Sequence, residues 1–130
     1  MSDATDYFEN LVANIFRATN VTAPATIYAA LFTAAPSDTG GGTEVGAGVG
    51  YSRQAVTFGA PSPAGLITST NAPTFGPNTN TNWGSITHIC LFDASSGGNM
   101  LTWKAATVAK TVNIGDSYTI PIGSCTLQVQ

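Results

Sequence analysis

The sequence has 130 residues, one domain's length, and only 8% of them are charged, against about 25% in a typical soluble domain. Four Lys and Arg residues, scattered along the chain, stand against seven Asp and Glu residues and leave a formal charge of −3. Nucleic-acid and anionic membrane surfaces need clustered positive charge, and no apolar run approaches the roughly 18 to 20 residues that span a bilayer, so we expect neither partner.

The first predicted element is an amphipathic helix over residues 6–18. Asp6 is its predicted N-cap, with Glu9 three residues later as the capping-box partner. One face of this helix carries a stripe of apolar side chains, which would dock either on the sheet of its own chain or on a neighbouring subunit. We therefore expect a helical segment, residues 1–22, and a β-sandwich domain, residues 23–130, in one compact unit. The apolar side chains that follow one helical face are Phe8, Leu11, Val12, Ile15 and Phe16.

From residue 26 onward, short strands are predicted, separated by turns about every 8 to 12 residues. Apolar residues on both faces of 85–93 indicate a central strand, and the glycine-rich turn at 94–98 joins it to the next strand. This pattern predicts an all-β fold, either an antiparallel β-sandwich or a jelly-roll-like small barrel, with one N-terminal α-helix. The predicted strands are 26–33, 51–58, 66–70, 72–75, 85–93, 99–106, 108–112, 118–122 and 125–129.

Residues that commonly carry catalysis or bind metals are few. His88 is the only histidine, and Cys90 and Cys125 lack the spacing and the fourth ligand of a zinc site. No Gly-x-Ser-x-Gly elbow singles out a nucleophile, and the two cysteines are interpreted as buried free thiols. We therefore predict no catalytic, cofactor-binding or metal-binding residues, no cofactor and no enzymatic activity.

Contact with other subunits is a use that suits this composition. A chain with so little charge fits a protein whose surface is covered by neighbours. The loop 36–50 is long and glycine-rich, and loops of that length are usually functional or disordered. The predicted partner-contact residues lie on the helix stripe and in this loop, and they are Phe8, Leu11, Val12, Ile15, Asp38, Thr39, Glu44 and Val45.

Several stretches together resemble a family of small structural proteins of tailed bacteriophages. Members of that family are often labelled tail fibre proteins, and some are similar to capsid cement or decoration proteins. The resemblance implies an all-β module that assembles on the virion as a homo-oligomer, with no catalytic residues. The stretches are 31–38 (LFTAAPSD), 42–45 (GTEV), 51–58 (YSRQAVTF), 83–88 (WGSITH), 91–94 (LFDA), 96–99 (SGGN), 110–112 (KTV) and 115–116 (GD).

Three functions are left open by these observations. The first is a non-enzymatic capsid cement or decoration protein, which binds the major capsid protein as a trimer and stabilises the outer shell. The alternative is a tail fibre or baseplate-associated protein, with tail proteins or host glycan as partners. A fibre that binds host glycan would expose aromatic side chains such as Trp83 or Tyr51. A second alternative is a carbohydrate-binding β-sandwich. Trp83 and Trp103 could form a platform for sugar stacking, although a Trp in such a fold more often packs in the core or at its rim. The acidic N-terminus lacks the features of a secretory signal, so we expect synthesis in the cytoplasm. The family resemblance implies that this is the cytoplasm of a host bacterium and that the protein is incorporated into the virion.

Overall fold

The computed structural model describes residues 3–46, 49–80 and 82–128. Residues 47 and 48 of the predicted loop, and residue 129 of the last predicted strand, lie outside these ranges. Within them the helix is α1 (Asp6–Phe16) and the strands are β1 (Asp3–Ala4), β2 (Ile27–Ala34), β3 (Thr43–Glu44), β4 (Gln54–Val56), β5 (Leu66–Thr68), β6 (Thr74–Phe75), β7 (Ser85–Phe92), β8 (Met100–Thr111), β9 (Tyr118–Thr119) and β10 (Thr126–Gln128).

The strands form two layers. Six of them make the main sheet in the order β1-β8-β7-β2-β3, and β4 also pairs with β2. Two short ladders, β5 with β10 and β6 with β9, make the second layer. Phe75 of β6 and Ile120 after β9 join the core cluster on one face of the main sheet. Because every strand pair is antiparallel, the predicted all-β antiparallel sandwich with one N-terminal helix is confirmed.

Strand β2 shows why the main sheet is covered on both faces. Its side chains alternate, so Ala29 and Leu31 enter the larger core cluster while Ala30 and Phe32 enter a smaller one on the opposite face. None of these four side chains is more than 3% exposed. β7 lies between β2 and β8, which confirms the prediction of a central strand at 85–93.

Several predicted strands differ in extent from the observed ones. A single strand, β8, replaces the two predicted at 99–106 and 108–112. Ile86 pairs with Lys110 but His88 pairs with Ala105, so the four residues 106–109 stand opposite Thr87 alone, as a bulge that lets the strand continue. The strand predicted at 51–58 is shorter, because only Gln54–Val56 pairs with β2.

The helix begins and ends differently from its prediction. Thr5, not Asp6, is the N-cap: its backbone is extended and its hydroxyl accepts a hydrogen bond from the Phe8 amide at 3.3 Å. The short strand β1 explains the difference, because the Thr5 amide still donates to the Leu101 carbonyl at 3.0 Å. Asp6 instead lies in the first turn, where a carboxylate suits the helix dipole. The helix ends at Phe16, before the predicted residue 18.

The hairpin between β7 and β8 has the glycine geometry that its sequence predicts. Gly97 and Gly98 have φ angles of 61° and 70°, in the left-handed region that favours glycine. A Cβ atom on Gly98 would lie 2.6 Å from the Cβ of Ala94. Asp93 closes the hairpin, since its carboxylate accepts the Asn99 amide at 2.7 Å.

Candidate assembly surface

Helix α1 lies on the surface with none of its residues buried. Phe8 and Leu11 are half-buried, whereas Val12, Ile15 and Phe16 are 37%, 58% and 88% exposed. The predicted stripe is therefore divided: one edge turns toward the chain's own sheet and the other toward solvent. Phe16 was in the stripe but not among the predicted contact residues, although its spacing from Phe8 and Val12 could have identified it.

The structure brings the start of the helix together with part of the predicted loop. Asp38 and Thr39 are exposed in a tight turn, in which Ser37 and Gly40 exchange backbone hydrogen bonds of 2.8 and 2.9 Å. The Asp6 amide donates to the Asp38 carbonyl at 2.8 Å. A cleft of about 570 Å³ is lined by this turn, by the start of the helix and by residues 98–100. The turn that carries Asp38 and Thr39 therefore adjoins the start of the helix, but none of the predicted contact residues of the helix lines this cleft.

Glu44 and Val45 do not belong to that surface. Val45 is 6% exposed and packs in the larger core cluster, and its amide donates to the Leu31 carbonyl at 3.1 Å. Glu44 pairs with Phe32 across β3 and β2, and is half-buried. The two-residue strand β3 turns this end of the loop inward, and so short a strand leaves no alternating pattern in the sequence.

Glu44 is the centre of a polar network that holds three segments together. Arg53 donates to both of its carboxylate oxygens at 2.9 Å, and the Tyr51 hydroxyl donates to Oε2 at 2.6 Å. The same guanidinium donates to the carbonyls of Ala94 and Gly97 at 2.9 and 2.8 Å. This bidentate arrangement is specific to arginine, because a lysine ammonium cannot serve two carboxylate oxygens and two carbonyls in one plane.

The network shifts the ionisation of its members in the directions expected of a partly buried ion pair. Burial tends to raise the pKa of Glu44, but the hydrogen bonds from Arg53 and Tyr51 outweigh it and lower that pKa below its ordinary value. Burial and the bond to Glu44 together raise the pKa of Tyr51. Glu44 is therefore ionised at neutral pH, and its role is to tie the loop to the sheet.

The residues weighed as catalytic candidates have structural surroundings. His88 is half-buried, with its Nδ1 atom 2.9 Å from the Thr87 hydroxyl and its ring beside Trp103. Cys90 is buried and Cys125 half-buried, both are free thiols, and burial raises the pKa of each. Within the described ranges, no three His, Cys, Asp or Glu side chains are grouped so as to hold a metal ion.

The aromatic residues proposed for sugar stacking are also used inside the fold. Trp83 is 6% exposed and its indole donates to the Val49 carbonyl at 2.9 Å. Tyr51 packs edge-on against Trp83, with the ring centroids 5.6 Å apart. Trp83 therefore packs in the core, the more common place for a Trp in such a fold, and half-buried Tyr51 packs against it.

Comparison with known protein families identifies the chain's relatives. Residues 3–128 match the family described as Podophage GP4 fiber I protein gp80. The chain belongs to this family. The fibre I family confirms the resemblance to tailed-phage structural proteins that the sequence motifs indicated, and it makes the chain a component of the virion. No individual curated protein sequence matches the chain. Among the described residues, no helix has the length and apolar character needed to cross a membrane.

Proposed function

We propose that this chain is a non-enzymatic tail-fibre protein that assembles with copies of itself, as a trimer, and joins the tail of the virion. The observation that carries the proposal is the match of residues 3–128 to a phage fibre family. That match favours the tail-fibre alternative over capsid decoration, which the sequence alone put first. The partners of the assembled fibre are other tail proteins and, at the distal end, the host surface.

A structural role without catalysis is supported by the surroundings of the reactive side chains. The His88 ring contacts Thr87 and Trp103, neither of which is the carboxylate or the activated nucleophile of a catalytic group. Burial raises the pKa of both cysteines, which disfavours the thiolate that a cysteine nucleophile needs.

Self-assembly is supported by the exposed part of the helix. Large apolar side chains such as Ile15 and Phe16 are 58% and 88% exposed, and they lie next to each other on one helical segment. Grouped exposed apolar side chains commonly mark protein contacts. The exposed turn at Asp38 and Thr39 adjoins the opposite, N-terminal end of this helix through the bond from the Asp6 amide to the Asp38 carbonyl.

The location of the chain on the particle tests the proposal. Quantitative mass spectrometry of purified virions would measure its copy number relative to the major capsid protein, and gold-labelled antibody would show its position. We expect few copies, with label on the tail. Particles from a phage lacking the gene are the matched control, and we expect intact heads and impaired attachment to cells. A copy number in the hundreds with label over the shell would instead support decoration and contradict the proposal.

A further inference from the structure

One side of helix α1 combines exposed apolar side chains with a carboxylate. Glu9, Val12 and Phe16 are spaced i, i+3 and i+7, so they share one face of the helix. Glu9 is exposed, and Phe16, at 88%, is the most exposed of the large hydrophobic side chains in the described ranges. We name the three residues the helix face. The chain itself leaves Phe16 almost uncovered and Val12 37% exposed.

A groove on the same chain has complementary properties. It opens between the 104–108 segment of β8 and residues 118–126, and its volume is about 250 Å³. Its apolar lining includes Ile89, Leu91, Tyr118 and Ile120. No residue of α1 lines it, so the chain's own helix is not its occupant.

The volume of the groove and its apolar lining residues suit aromatic and aliphatic side chains. A cavity of about 150 Å³ accommodates benzene, so the groove has room for a phenyl ring and a further aliphatic group.

The charges on the two surfaces are also complementary. Lys104 lines the groove, and the Lys110 ammonium lies 5.9 Å from the ring centroid of Tyr118, which lines it as well. Neither lysine forms a salt bridge within the part of the chain that the structure describes. The first turn of the helix carries the exposed carboxylates of Asp6 and Glu9. A positive rim therefore matches an acidic and apolar helix.

We propose that the helix face of one copy docks in the groove of a second copy, with Phe16 and Val12 filling the groove and Glu9 opposite Lys104. The contact joins two different surfaces of one chain, so it is head-to-tail, and such contacts close into rings when the rotation between copies permits. The inference rests on the self-assembly part of the proposed function, and it names the surfaces that carry it.

Sedimentation of the isolated full chain over a range of concentrations tests the helix side. We expect the wild type to associate and Phe16→Ser to associate at least about tenfold more weakly, because a large apolar side chain no longer becomes buried. Ile114→Ser is the matched control, since Ile114 is 61% exposed in a turn outside both surfaces, and we expect it to behave as wild type. A monomeric wild type, or unchanged association of Phe16→Ser, would overturn the proposal.

Mixing two defective variants tests whether the contact is head-to-tail. Ala106→Trp would fill the groove, in which Ala106 is half-buried, and leave the helix intact. At a concentration chosen so that the wild type associates and the weaker variants do not, we expect Ala106→Trp and Phe16→Ser each to be monomeric alone and to form a one-to-one complex when mixed. If Ala106→Trp alone still associates like the wild type, the groove is not the docking site and the proposal fails.

A charge exchange keeps the test valid if either of those variants folds poorly. Glu9 and Lys104 are both exposed, so their replacement leaves the core intact. Glu9→Lys and Lys104→Glu should each weaken association by about threefold at low salt, and the double variant should restore it. Additive weakening in the double variant would contradict the pairing. These measurements use the isolated protein, so their failure would leave the tail location, which is read on virions, as a separate result.

Discussion

The main sheet and helix α1 use the same kinds of apolar side chain in opposite ways. Leu31 of β2 is completely buried between layers of its own chain, whereas Phe16 of the helix is 88% exposed. Both faces of the main sheet are buried by other parts of the chain, whereas in the apolar stripe of the helix only Phe8 and Leu11 are half-buried. An apolar stripe in a sequence therefore predicts that its side chains become buried, but it does not show whether the same chain or another chain covers them.

The largest expected loss of stability follows from a substitution in the core that packs against the main sheet. Phe75 is fully buried and stacks on Tyr51, with the ring centroids 6.1 Å apart. Phe75→Ala should lower the free energy of unfolding by about 3–5 kcal/mol, because it removes a buried ring and leaves a cavity. Urea denaturation measures the change. A loss near zero would mean that this core is not the source of the chain's stability.

Removing the central cation of the network should have the next largest effect. Arg53→Met keeps much of the aliphatic stem but leaves Glu44 and two carbonyls without their donor. We expect a loss of about 2–3 kcal/mol in the free energy of unfolding, less than for a fully buried pair because water reaches Glu44. Arg17→Met is the control: Arg17 is exposed and contacts the Asn14 side chain, so its loss should stay within about 0.5 kcal/mol. Equal losses would contradict the assigned role.

Acid should weaken the same network more gently. The pKa of Glu44 in the folded chain lies below its ordinary value of 4.5, so the unfolded chain takes up the proton more readily. The stabilisation is fully present above pH 4.5 and is lost as the pH falls through the lower, folded pKa. Urea denaturation from pH 7 to 3 should therefore show a steeper loss in wild type than in Glu44→Gln. Parallel curves would show that other carboxylates, such as Asp93, dominate the acid response.

The smallest effect is expected on the helix side. Ile15→Ala and Phe16→Ala should each change the free energy of unfolding by no more than about 0.5 kcal/mol, measured at protein concentrations too low for association. These side chains contribute little burial within one chain, since 58% and 88% of their surfaces are exposed. A loss of about 2 kcal/mol or more, the size seen at core positions, would mean that the helix is covered by its own chain after all.

The sequence predicted the elements whose signal lies in a local pattern. β2 was predicted from a continuous apolar run bounded by prolines, β7 from alternation, and the hairpin from its turn glycines, and each of these signals lies within a short stretch of sequence. Pairing between strands that are distant in the sequence explains the predictions that were wrong. Thr5 caps the helix because two-residue β1 pairs with a strand almost a hundred residues away, and β3 turns Val45 inward through its pairing with β2.

The assembly surface could be predicted only in part, for a related reason. The helical spacing identified Val12 and Ile15, which are exposed, but it could not separate them from Phe8 and Leu11, which lean on the sheet. The groove could not be predicted, because it depends on how the 104–108 segment of β8 stands apart from residues 118–126.

The Arg53 guanidinium has a consequence for how the molecule opens. It joins β3 and the start of β4 to the turn after β7, which begins 41 residues beyond Arg53, and it also lies 3.6 Å from the centre of the Phe92 ring. If one of these segments unfolded alone, the Arg53 guanidinium would lose hydrogen bonds while it remained partly buried. Their amides should therefore exchange with deuterium as one cooperative unit, while those of helix α1 exchange sooner and independently.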